Sequence, residues 1–172
     1  MSIWKWLGLD GPGPEVDADS LAHIERALAG LEPAMARYIA CFAHILTRGA
    51  RADHQFTDEE AREMERVVAE RGGIPAEQAT VVVEIARIQA LSSGGTDDFL
   101  VTRQFNTIAT REQKLALLDC LFAVSAADES ILTVEDNEIR RVSNELKLEH
   151  SDYIQARSGH LKHLHVLRAR SD

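Results

Sequence analysis

Paired cysteines, a membrane-length apolar run and an excess of positive charge are all missing from this sequence, and each absence removes a class of protein. Cys41 and Cys120 stand 79 residues apart with no CxxC pair, which excludes a zinc-ribbon spacing and a disulfide framework. Both lie in apolar, helix-like sequence and read as buried free thiols. No stretch approaches a transmembrane span. At the N-terminus, Ile3, Trp4, Trp6 and Leu7 are interrupted by Lys5 and closed by Asp10-Gly11-Pro12-Gly13-Pro14. That cluster is too short for a signal peptide, so a cytoplasmic location is expected. It is read as a segment that packs on the domain, with Trp4 and Trp6 as the alternative of a peripheral membrane or partner contact. A formal charge of −9, from 28 acidic and 19 basic residues, makes a phosphate backbone a poor partner and cations or basic protein surfaces better ones.

Strand signals are missing too. No alternating apolar pattern and no hairpin dipeptide stands out, while apolar residues recur at three- and four-residue spacing almost throughout. With 172 residues, 45% of them apolar, the chain can bury one sizeable core. The expectation is an N-terminal segment and Gly/Pro linker over 1–16, then one all-α domain over 17–172. The spacing predicts helices over Asp17–Leu31, from Pro33 until Gly49 breaks the stripe, from Thr57 or Asp58 to Gly72-Gly73, and from Pro75 to Ser92-Ser93-Gly94-Gly95. Val81-Val82-Val83 is the one place where a strand competes, but the helical period continues past it. Further helices are predicted over Asp97–Thr107, around Leu115–Val124, around Ile139–Leu146 and over Asp152–Arg168. That is a compact bundle of about seven to nine helices.

The sequence repeats itself. Shifted by 75 residues without a gap, Ala52-Asp53 falls on Ala127-Asp128, Phe56 on Ile131, Glu60 on Glu135, Glu63 on Glu138 and Arg66 on Arg141. Two related helix-loop-helix halves, about 37–74 and 112–149, explain this. In each, an Asp follows a buried helix, an apolar residue (Phe56 or Ile131) anchors the loop, and a Glu stands seven residues later in the first turn of the next helix. If the halves pack side by side, Asp53, Glu60, Asp128 and Glu135 supply hard oxygen ligands suited to calcium or magnesium.

The run Ala127-Asp128-Glu129-Ser130-Ile131-Leu132-Thr133-Val134-Glu135, with Leu117-Leu118-Asp119-Cys120-Leu121-Phe122 before it and Ile139 to Leu148 after, resembles the signature of the TerB-like (tellurite-resistance) family. The copy around Asp53 resembles its other half, and the likeness spans roughly Met35 to Tyr153. The resemblance implies a helical bundle of two halves, an acidic surface, metal binding, a place in stress response and tellurite resistance, protein partners and no enzymatic activity. The family pattern usually has Gly after each Asp, where His54 and Glu129 stand here. Without Gly the loop loses its easy access to positive φ, and Glu129 becomes a fifth candidate ligand.

Plainer readings stand beside this one. Thr57-x-x-Glu60 is a capping box, Glu135 complements a helix dipole, and Asp53 and Asp128 can terminate helices. The same acidic face could serve a metal-independent protein-interaction module. Only eight residues run from Asp128 to Glu135, against the twelve of an EF-hand. His160, His163 and His165 lack matching ligands, so zinc is the lesser expectation and a solvated, partly basic helix face the preferred one. His44 and His54 read as loop or boundary histidines. No nucleophile elbow, phosphate loop or HExxH motif is present, so no catalytic residue is assigned.

Overall fold

One helix, Pro33–Ala50, is buried on nearly every side, and the rest of the molecule is arranged around it. The computed structural model describes residues 18–50, 57–91, 98–127 and 131–163. Among them are eight α-helices: α1 Ala18–Ala29, α2 Pro33–Ala50, α3 Asp58–Arg71, α4 Ala76–Leu91, α5 Asp98–Ile108, α6 Arg111–Ala126, α7 Thr133–Glu145 and α8 His150–Ser158. A short 3-10 turn, Leu161–His163, follows. Pro33, whose fixed φ and missing N–H suit a first helical position, begins α2. From Tyr38 to Gly49 every residue of that helix is buried. It packs against α1, α4, α5, α6 and α7, as a helix apolar around most of its circumference must.

Local chemistry sets the boundaries. Thr57 caps α3: its Oγ1 accepts from Glu60 N at 3.1 Å, and Glu60 Oε2 accepts from Thr57 N at 2.7 Å. Thr110 and Gln113 form the same box at α6. The α3 helix stops at Gly72, and Gly73 takes φ 66, a value that glycine adopts at no steric cost. Gly72 is needed for another reason, since an added Cβ would lie 3.2 Å from Phe42 Cζ and 3.3 Å from Cys120 Sγ. Pro75 O accepts from Gln78 N and Ala79 N to start α4. Val81, Val82 and Val83 are helical and buried.

The second half of the bundle is built like the first. The α3 and α7 helices begin 75 residues apart, at Asp58 and Thr133, and α2 and α6 end at Ala50 and Ala126. The packing is reciprocal: α2 meets α6, α2 also meets α7, and α3 meets α6. Outer helices close each side, α4 on α2 and α3, α8 on α6 and α7. Phe105 of α5 stacks on Tyr38 at 5.4 Å and meets Phe42 edge-on at 6.4 Å.

Three expectations are corrected. Gly49 does not break α2 but lies inside it, where an added Cβ would come within 2.7 Å of Leu121 Cδ2; it is a close-approach residue. The C-terminal helix runs from His150 to Ser158, not from Asp152 to Arg168, with Gly159 as its C-cap. Ala18 rather than Asp17 begins α1, which ends at Ala29. The expectations for residues 1–16, for Phe56, for Ser92-Ser93-Gly94-Gly95, and for Leu164 onward fall outside the described residues.

Candidate functional site

The chain leaves α2 and α6 at adjoining points. Besides the contact of Gly49 with Leu121, Ser125 Oγ donates to Gly49 O at 3.3 Å, joining the last turn of α6 to that of α2. Ile131, expected to anchor the second loop, is buried. Both glutamates are held alike: as Glu60 caps Thr57, Glu135 Oε2 accepts from Leu132 N at 2.8 Å. The N-cap residue of α7 is Leu132, whose side chain accepts no hydrogen bond, so Glu135 supplies that part of the cap by itself. Asp53, Asp128 and Glu129 lie outside the described residues. Among the described residues, no group of three or more His, Cys, Asp or Glu side chains is placed to hold a metal ion.

Beneath this end lies an ion network that sequence reasoning missed. Arg48, in the last turn of α2, keeps only 1% of its side chain exposed. Its Nε donates to Glu138 Oε1 at 2.8 Å, and its Nη1 donates to Glu145 Oε2 at 2.6 Å and to Thr102 Oγ1 at 2.8 Å. One guanidinium thus joins α2 to α5 and α7. Burial opposes its charge, but Glu145 and Glu138 outweigh burial and hold its pKa above the ordinary value. One turn earlier, His44 Nε2 donates to Asp98 Oδ1 at 2.8 Å. His44 is therefore a buried helix-interior residue, not a loop or boundary histidine. A lone Arg in an apolar stripe was the available signal, but its acidic partners stand 90 and 97 residues away.

The second half carries two more such clusters. Asp136 is buried, accepting from Tyr153 Oη at 2.5 Å and from Arg157 Nη2 at 3.0 Å, which ties the start of α7 to α8. Burial and the adjoining Asp136 carboxylate raise the Tyr153 pKa. His160 stacks on Phe122 at 5.8 Å and donates to Asp119 Oδ1 at 3.2 Å, while Arg71 reaches Asp119 Oδ2 at 3.1 Å. It is buried, which corrects the reading of a solvated face. The His160 hydrogen bond first, and Arg71 after it, hold the Asp119 carboxyl below the usual carboxylate range against the cost of burial. Cys41 and Cys120 are free and buried, and burial pushes both thiols up to about 12.

Fold and geometry together define the class: an all-helical bundle with two acidic helix-to-helix junctions opening from adjoining helix ends. Its described helices include none long and apolar enough to cross a membrane. A family model described as tellurite resistance protein TerB matches residues 39–158, more than two thirds of the chain, and the chain belongs to that family. No curated protein and no solved structure matches it.

Proposed function

We propose that this chain is a non-enzymatic, tellurite-resistance-related stress-response protein whose paired acidic loops hold a divalent cation, calcium or magnesium. The observation that carries the reading is the contact between the ends of α2 and α6. From adjoining starting points, Asp53 and Asp128 need only short reaches to serve one ion or two neighbouring ions. Helix capping explains Glu60 and Glu135, each through one oxygen, Oε2. It leaves unexplained why an Asp recurs seven residues before each Glu. The matching starts of α3 and α7 and the reciprocal packing support a duplicated helical hairpin as the origin of that recurrence. Glu129 adds a carboxylate where the family pattern has Gly. The ion would neutralise like charges at this end and so fix the surface offered to a protein partner.

Thermal unfolding of chelator-treated protein, with and without millimolar calcium, magnesium or zinc, tests the reading. Free ion at a hundred times its Kd adds about 2.7 kcal/mol, a rise of roughly 5–11 °C for a domain of this size. Asp128→Asn, which removes ligand charge while nearly keeping shape, should abolish the rise. No shift with any ion would sink the cation and leave the metal-independent interaction module.

A further inference from the structure

Large apolar side chains left in water are uncommon on a monomer unless something covers them. Four of those exposed here stand at the beginnings of two helices that pack together: Phe99 (58% exposed) and Leu100 (55%) in the first turn of α5, Leu132 (43%) and Val134 (76%) at the start of α7. The Arg48 guanidinium relates the two helix starts, since it binds both Thr102 of α5 and Glu138 of α7. Phe99 lies three residues before Thr102 and Val134 four before Glu138, spacings that put each within one turn of that shared anchor. The residues at the repeat positions of Leu132 and Val134 are Thr57 and Glu59, both polar. The second half has therefore gained apolar surface where the first has none, so the junction geometry alone does not demand it.

The chemistry around the four is acidic. Asp98 precedes Phe99 directly, and Glu135 and Glu138 share the opening turns of α7 with Val134. The chain as a whole carries −9. We infer that the first turns of α5 and α7 form a docking surface for a basic, amphipathic helix of a partner protein, with Phe99 and Val134 as its apolar anchors. Apolar side chains of the partner would cover these anchors while its Lys and Arg residues meet the surrounding carboxylates, the helix-on-surface mode of peptide recognition. An anionic membrane is the wrong partner for the same apolar residues, because the carboxylates repel it. The surface does not depend on a bound cation, so its fate and that of the cation reading are separable.

The test titrates a fluorescein-labelled leucine–lysine amphipathic helix into the full chain in EDTA, followed by anisotropy. Expected are saturable binding by the wild type and a loss of about tenfold or more in affinity for Phe99→Ser and for Val134→Ser. Both side chains are exposed, so each variant should keep the wild-type circular dichroism and unfolding midpoint. Ile154→Ser, an exposed apolar position on α8, should bind as the wild type does. A scrambled peptide of the same composition should bind far more weakly. Absent wild-type binding, unchanged affinity in both anchor variants, equal loss in Ile154→Ser, or equal binding of the scrambled peptide would each overturn the inference. So would co-sedimentation with phosphatidylserine vesicles that Val134→Ser abolishes. A failed calcium or magnesium shift leaves it standing, since the titration is run without free ion.

Discussion

Replacing Arg48 with methionine keeps much of the stem volume and deletes the charge that two buried-end carboxylates face. Glu145 keeps 12% of its side chain exposed and Glu138 keeps 28%. Removing one partner from a buried ion pair costs about 3–5 kcal/mol, because the remaining charge stays desolvated. Glu138 can turn toward water and Glu145 retains Arg141 at 3.4 Å, which places Arg48→Met at the lower end, about 3 kcal/mol. For a domain of this size that lowers Tm by roughly 6–12 °C. Adding Glu138→Gln and Glu145→Gln removes the stranded charge and should recover most of the loss, since neutral replacements of buried ionic groups are often well tolerated. Urea unfolding of the four-member series, read as a thermodynamic cycle, isolates the coupling. A cost below about 1 kcal/mol for Arg48→Met, or no recovery in the combined variant, would refute the reasoning.

Two further predictions concern neighbouring residues and pH. Gly72→Ala, with Phe42, Cys120 and the Val68 carbonyl in the way of a Cβ, should cost about 1–3 kcal/mol in chemical denaturation. Gly73→Ala, in open space but at φ 66, should cost only about 1–2 kcal/mol, entirely from its backbone conformation. Because the native Asp119 pKa is depressed, its contribution is complete above about pH 5 and lost as pH falls through about 4 and below. Asp119→Asn should therefore be less stable than the wild type at pH 7, with the gap in Tm closing by pH 3. A gap that stays constant or widens on acidification would contradict the sign.

How much was legible in the sequence followed the range of the interaction. Thr57 and Glu60 are three residues apart, and their reciprocal cap was readable as a pattern. Pro33 and Pro75 marked helix starts for the same local reason, and the 75-residue repeat aligned the helix boundaries. Gly49 was misread because the same residue that ends a helix also permits a close crossing, and only the position of Leu121 decides between them. The C-terminal helix was overdrawn because Leu161, Leu164 and Leu167 continue a plausible stripe beyond Gly159. The polar interior was illegible for a different reason. His44, Arg48, Asp119 and Asp136 acquire their roles from partners on other helices, and one sequence does not reveal those pairings. Of the five candidate ligands, Glu60 and Glu135 are placed as matched caps, and the loop carboxylates lie outside the described residues.

The crossed packing of α2 with α7 and of α3 with α6 has a consequence for how the molecule can come apart. A break in the chain between α4 and α5 would yield one piece with four helices and another with four. Neither piece could wall in its own central helix, since α2 needs α5, α6 and α7, and α6 needs α2 and α3. The pieces would be obligate complements, unfolded when separate and native-like when mixed. By the same logic the intact polypeptide should lose both sides in one cooperative step rather than shed one and keep the other.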